Sequence, residues 1–241
     1  MSDKPQSLSS HLRALRRAVI ISAEAVIISF AVIYIFAADM LMTWIITPIR
    51  AKGIEIIYTA VSEAFITKIK VSFTAGAVIA SPVVLWQLWS FIRPALYPSE
   101  EKMFKLIFSA AAALFLAGVV FCYEAVYMFA IDFFLAAGDN LAAPMLSIDK
   151  YIGFLFGFIL PFGMAFQLPV FLYITTKIGW TNYEMLASKR KYIVLAVFTI
   201  AAILTPPDVV SQIALGLPML LLYEAGVQIS RFVKQSGNQQ E

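Results

Sequence analysis

Tyr151-Ile-Gly-Phe-Leu-Phe-Gly-Phe-Ile-Leu-Pro161-Phe-Gly-Met-Ala-Phe-Gln167-Leu-Pro169-Val-Phe-Leu-Tyr-Ile-Thr175 contains no charged side chain. It exceeds the about 20 apolar residues that a helix needs to cross a bilayer. This stretch decides the fold class: it reads as a transmembrane helix, made irregular by two prolines. Each proline removes a backbone donor and crowds the turn before it. The helix is therefore expected to bend around residues 157–163 and to present a concave wall. Gln167 lies between the prolines, at mid-span. An amide in hydrocarbon seeks partners and can join helices for about 0.6–2 kcal/mol. Two partners fit: a backbone carbonyl freed near Pro169, or a polar group on another protein's helix.

Five further apolar runs appear on either side, at about residues 18–38, 65–91, 104–129 (reaching towards 135), 192–204 and 209–228. The fifth span is short, about 20 Å against a hydrocarbon core of about 30 Å, and the apolar part of the sixth, about residues 213–227, is short as well. The expected fold is thus an all-α membrane protein of six transmembrane helices, with a kinked fourth helix and short fifth and sixth helices, cup-like if the fourth is bent. Ser147 is a candidate cap for the fourth helix with Asp149 in its first turn, and Asp208 for the sixth.

Lys and Arg set the orientation. Of the 18, 13 fall on one side: Lys4, Arg13, Arg16, Arg17, Arg93, Lys102, Lys105, Lys177, Lys189, Arg190, Lys191, Arg231 and Lys234. That side is expected to be cytoplasmic and to hold both termini. Residues 1–241 form one integral membrane domain, with 1–17 as a cytoplasmic interfacial segment and 229–241 as a cytoplasmic tail. Leu8, Leu12, Leu15 and Val19 share one helical face with arginines opposite, an interfacial pattern.

Composition agrees: 61% of the 241 residues are hydrophobic, 14% are charged, and the mean hydropathy is +0.84. A soluble domain is roughly 45–50% apolar and 25% charged. The net charge of +3 is too small and dispersed for nucleic-acid binding. The single cysteine, Cys122, lies in an apolar run, and the single histidine, His11, precedes the first span. There is no disulfide framework, metal-ligand cluster, nucleotide-binding loop or histidine-based triad, so neither an enzyme nor a cofactor is expected. No cleavable signal peptide is evident, because the first apolar run starts late and is long enough to span. Glu24 and Glu224 read as interfacial acids near the cytoplasmic ends of their spans, and Glu124 as cavity-facing or interfacial. A small secondary transporter using these acids is the second reading, but transporters show repeats with broken helices in matching halves, and one irregular span without a repeat argues against it. A membrane scaffold is the third.

The polar loop Phe91-Ile-Arg-Pro94-Ala-Leu-Tyr-Pro-Ser-Glu100-Glu101 is anomalous. Two adjacent carboxylates stand on the side that is otherwise basic, which suits a receptor for something basic. Arginine pairs well with carboxylate because its planar fork makes bidentate bonds.

Several ordered segments of the chain resemble the TatC subunit of the twin-arginine protein translocase. They are His11-Leu-Arg-Ala-Leu-Arg16; Ser81-Pro-Val-Val-Leu-Trp-Gln-Leu-Trp-Ser-Phe-Ile-Arg-Pro-Ala-Leu-Tyr-Pro-Ser-Glu100; Phe162-Gly-Met-Ala-Phe-Gln-Leu-Pro169; Leu204-Thr-Pro-Pro-Asp-Val-Val-Ser-Gln212; and Pro218-Met-Leu-Leu-Leu-Tyr-Glu224. The resemblance covers nearly the whole chain. It implies a receptor and core component that exports folded proteins across a bacterial inner membrane under the proton-motive force. It also implies assembly with single-span TatA- and TatB-like partners and with further copies of itself in the lipid bilayer. By the resemblance, Glu100 contacts the arginine pair of the signal peptide, Phe91 and Pro94 neighbour it, and Arg16 is the basic residue of the N-terminal motif. Gln167, next to Pro169, takes a helix-contact position where the family often has Glu, and Asp208 is the acid of an outer loop. Two departures stand out. Ala14 replaces a second recognition carboxylate, which makes Glu101 the candidate substitute, and Gln167 keeps the hydrogen bond of a Glu without its charge.

Overall fold

The computed structural model describes residues 8–92, 101–138, 144–204 and 208–233. Helix α1 (Leu8–Phe36) is continuous, so the interfacial segment forms the first turns of the same helix that carries the first apolar run. After Ala37 the chain turns into α2 (Ala38–Ala51), β1 (Glu55–Ile57) and α3 (Glu63–Ile92). Then come α4 (Glu101–Phe121), a π-helical turn (Cys122–Tyr127) and α5 (Met128–Ala137), which make one rod. Strand β2 (Met145–Ser147) leads into α6 (Ile148–Ala165) and α7 (Leu168–Lys177), followed by α8 (Tyr183–Ser188), α9 (Arg190–Leu204) and α10 (Val209–Arg231).

Five helical stretches among the described residues are long and apolar enough to cross a membrane: Leu12–Phe36, Glu63–Ser90, Lys105–Ala137, Ile148–Lys177 and Val209–Arg231. Helix α9 has 15 residues, about 22 Å, and falls short of the about 30 Å core, as expected of the fifth run. The sixth run is a correction. Helix α10 has 23 residues and is not short. Asp208 caps it by accepting from Ser211 N at 2.6 Å, and polar turns carrying Ser211, Gln212, Gln228 and Arg231 extend it beyond the apolar stretch.

The break in the fourth run also falls elsewhere than expected. Helix α6 continues through Pro161 and stops at Ala165, while α7 starts at Leu168 with Pro169 in its first turn. Pro169 has no N–H to give the carbonyl four residues back, so the ladder opens just ahead of it. Ser147 caps α6 as expected, accepting from Lys150 N at 3.5 Å.

Helix α2 was not anticipated. Its buried residues Ala38, Ile45, Ile46 and Ile49 follow the helical period, with Asp39 in the first turn and Arg50 in the last. It marks one end of the molecule, here the α2 end; the opposite end carries the connection between α3 and α4. The one strand pair among the described residues is at the α2 end. There β1 and β2 pair in parallel, Glu55 with Met145 and Ile57 with Ser147. Glu63, nearly buried, holds this corner. Its carboxylate accepts from the Thr59 amide, the Ala60 amide at 3.3 Å and the Ser147 hydroxyl. Three lysines that the apolar runs do not explain are paired here: Lys52 with Asp132, Lys68 with Asp39 at 2.7 Å and Lys70 with Asp149.

The core is graded along the long axis. At the α2 end, Tyr127 donates to the Tyr151 carbonyl at 3.3 Å and Tyr151 to the Ile45 carbonyl at 2.9 Å, joining the π turn, α6 and α2. Phe154, Phe158 and Phe162, spaced four apart on α6, line the middle, the first pair edge-to-face at 4.9 Å and the second stacked at 6.4 Å. At the opposite end, Leu85 and Trp89 of α3 pack with Ile107, Ala111 and Phe115 of α4 and with Val170 and Ile174 of α7.

Candidate functional site

Four recognition residues expected from the sequence bear on the α3–α4 connection, and the described structure frames it without containing all of it. Glu100 and Pro94 lie outside the described residues. Phe91 is in the last turn of α3, and Glu101 opens α4. The first turn of a helix is its positive end, where negative charge is favoured. The two helix ends that carry the loop are fixed by the cluster around Trp89 and Ile107, reinforced by the edge-to-face contact of Trp86 with Phe108 at 4.9 Å. The two helices that flank the connection are thus packed against each other.

Arg16 reaches the same end through α1. Phe30 of α1 lies over Gly76 of α3: a Cβ built on Gly76 would be 2.8 Å from Phe30 N, so the backbones touch. Tyr34 lies beside Lys68, one step towards the α2 end, so the helices are antiparallel. From the crossing, Arg16 and Ser90 lie the same distance, about 21 Å, towards the loop end. Arg16 is therefore level with Phe91, and both Arg16 and Ala14 are exposed.

The helix-contact pair has a mixed geometry. Gln167 occupies the break between α6 and α7, and its Nε2 donates to the Ala111 carbonyl on α4 at 2.9 Å. The expected internal acceptor near Pro169 is therefore replaced by one on a neighbouring helix. Its Oε1 is buried without a hydrogen-bond partner. Pro169 is buried beneath α10, where a Cβ on Gly226 would lie 3.2 Å from Pro169 Cα and 2.6 Å from Leu172 Cδ1. Asp208 stands apart from both groups, at the α2-side start of α10. There Gln212 Nε2 also donates to the Phe198 carbonyl at 2.9 Å and ties α10 to α9.

One polar contact was not singled out from the sequence. Arg190 grips Glu224 through two bonds, Nε to Oε2 at 2.9 Å and Nη2 to Oε1 at 2.7 Å, and Gln228 adds a third at 2.7 Å. Tyr223 donates to the Leu186 carbonyl at 2.9 Å in the same corner. These contacts hold the start of short α9 to the end of α10, which gives the Glu224 carboxylate a structural partner. The signal was available: opposite charges at the same end of two consecutive spans.

The candidate site is thus one end of the helical protein, where two packed helices flank the 93–100 connection, together with a broken helix whose Gln167 amide is half satisfied. Comparison with known proteins places this geometry. The family model described as Sec-independent protein translocase protein (TatC) matches residues 10–218. The chain is 41% identical to the Sec-independent protein translocase protein TatC of Carboxydothermus hydrogenoformans, over 97% of this chain and 96% of that protein. It is 38% identical to the protein of the same description from Aquifex aeolicus, over 93% and 94% of the two chains. A crystal structure of the twin arginine translocase receptor TatC superposes with a TM-score of 0.84 at 38% identity, covering 91% of this chain and 97% of that one.

Proposed function

This chain belongs to the TatC family, the Sec-independent protein translocase proteins, and from that membership we propose that it is the receptor subunit that binds twin-arginine signal peptides. As a translocase subunit it is a transport component and not an enzyme. In this reading it lies in a bacterial inner membrane as a cup of six spans, the short α9 included, with both termini and the 93–100 connection in the cytoplasm. It works with TatA- and TatB-like single-span partners, in several copies, under the proton-motive force, and delivers folded cargo. The observation that carries the reading is the level shared by Arg16 and the α3–α4 connection. It brings Arg16 of the N-terminal motif level with the helix ends, carrying Phe91 and Glu101, that flank the connection in which the sequence has Pro94 and Glu100.

The test is direct binding. A peptide bearing an Arg-Arg pair is expected to bind the detergent-solubilised chain and to lose about tenfold in affinity when both arginines become lysine, because lysine cannot make the bidentate contact. Equal binding of the two peptides would remove the receptor reading.

Gln167 and Pro169 are assigned to a partner-helix contact, and Asp208 to the outer loop between α9 and α10. Gln167 Oε1, which has no hydrogen-bond partner among the described residues and is covered in the single chain, is the acceptor that a donor from a partner helix would have to reach by entering at the α6–α7 break. Gln167→Leu is expected to lower recovery of the single-span partners in co-purification about threefold or more, from a contact of about 0.6–2 kcal/mol. Undiminished recovery would leave Gln167 as a purely internal link to α4.

A further inference from the structure

Helix α1 is a stiff rod held towards one end. Its 29 residues contain neither glycine nor proline, so the sequence supplies no kink. At Ala37 it turns into α2, which is seated in the core by Ala38, Ile45, Ile46 and Ile49. Its one extensive contact among the described residues is with α3. The two backbones meet at Gly76, where a Cβ would lie 2.8 Å from Phe30 N and 2.9 Å from Phe30 Cα. Beside this point Phe30 meets Phe73 edge-to-face at 6.2 Å, and Ile33 is buried. The other end of the rod is uncovered: every residue from Leu12 to Arg17 is exposed. Glycine inside a helix costs up to about 1 kcal/mol relative to alanine, so Gly76 is explained by the close approach and not by helix formation.

We propose that Gly76 is a positioning residue for signal-peptide recognition: by letting α1 lie directly on α3, it sets where the N-terminal motif stands relative to the α3–α4 connection, about 21 Å away. The inference rests on the receptor reading above.

The geometry amplifies small changes at the crossing. With the turn at Ala37 as fulcrum, Phe30 lies about 10 Å along the rod and Arg16 about 32 Å, a ratio of about three. Non-bonded carbon atoms settle at about 3.5 Å or more, so one methyl group at position 76 pushes Phe30 away by about 0.7 Å. The atoms it meets are backbone, and no rotamer clears them. A stiff rod carries that push to about 2 Å at Arg16, against a tolerance of about 0.5 Å in a preorganised binding constellation.

The test uses the detergent-solubilised full chain carrying Cys122→Ala. With nitroxide labels at Ala14→Cys and Ser90→Cys, pulsed electron resonance is expected to show the label distance shifting by about 2 Å in Gly76→Ala and further in Gly76→Leu. Without labels, the two variants are expected to bind an Arg-Arg peptide about threefold and about tenfold more weakly, and to discriminate less between Arg-Arg and Lys-Lys peptides. Gly76→Ala, with a single added methyl group, carries the test if Gly76→Leu does not fold. Gly216→Leu is the control. A Cβ there would lie 3.0 Å from the Phe198 ring, away from α1, so it is expected to lower the unfolding midpoint and keep both affinity and discrimination. Loss of fold alone reduces the number of binding chains, not the affinity of those that remain. An unshifted label distance in both variants, a shifted distance with unchanged affinity, or an equal loss of discrimination in Gly216→Leu would overturn the proposal. An unsubstituted chain that does not prefer the Arg-Arg peptide removes the receptor reading and this inference with it. A preference that is present there and intact in Gly76→Ala and Gly76→Leu removes this inference alone.

Discussion

Gly118→Leu is expected to force α4 away from α6 and to destabilise the protein by about 3 kcal/mol, the upper part of the range for overpacking a filled interior. A Cβ at Gly118 would lie 2.8 Å from the Phe162 carbonyl oxygen and 2.8 Å from Phe166 Cγ. The phenyl ring could rotate, but the oxygen belongs to the backbone of α6 and cannot move without the helix. The crossing is reciprocal, since a Cβ at Gly163 would lie 2.7 Å from Phe115 Cε2. Small residues on both sides let the backbones meet, and in lipid such packing stands in for a hydrophobic drive between helices. Leucine is the better helix former by roughly 1 kcal/mol, a gain that works against the clash and is outweighed by it. In detergent the unfolding midpoint is expected to fall by roughly 6–12 °C. Gly153→Leu is the control: nothing lies within 4 Å of a Cβ there, so its midpoint should hold or rise. If Gly118→Leu melts with the unsubstituted chain, the helices do not cross this closely.

What the sequence made legible follows from how local each signal is. The apolar runs and the caps at Ser147 and Asp208 depend on neighbours within a few residues, and α3, α6 and α10 begin close to where those signals put them. Helix α2 has an equally local period, but its 14 residues, interrupted by Asp39, Pro48 and Arg50, are too few to read as a span. Pro161 and Pro169 look alike in sequence. Only the surrounding packing allows α6 to run through the first, under Phe158 and Phe162, and to open before the second. The Gln167 acceptor could not have been read at all, because a backbone carbonyl on Ala111, 56 positions away, leaves no mark in a side-chain pattern. The pairing of Arg190 with Glu224 needed only topology and opposite charge. Ala14 was visible as a missing acid, but its position level with the α3–α4 connection came from the backbone contact between Phe30 and Gly76.

That position sets up the sharpest functional result expected of this chain. Glu100→Gln should weaken binding of an Arg-Arg signal peptide by about thirtyfold, about 2 kcal/mol, the lower end of the loss when one partner of a hydrogen-bonded charge pair is truncated. The amide keeps the shape of the side chain and removes the charge that a guanidinium fork grips. Glu101→Gln should cost about three- to fivefold if Glu101 takes over part of the role that Ala14 leaves empty. Glu101 also has a local duty, since as the first residue of α4 it stabilises the positive helix end by about 0.3–1 kcal/mol. Peptide affinity alone therefore does not distinguish recognition from fraying of α4, and a restoring substitution does. Ala14 is exposed on α1, about 3 Å along the helix axis from Arg16 and at the same end as the loop. Ala14→Glu cannot repair a frayed α4, but it can return a carboxylate to the recognition surface. In the Glu101→Gln background it should bring affinity back to the unsubstituted level, and the gain should shrink as salt rises, because exposed charges are screened. Unchanged affinity in Glu101→Gln would end the idea of compensation, and unchanged affinity in Glu100→Gln would take the acidic loop out of peptide recognition altogether.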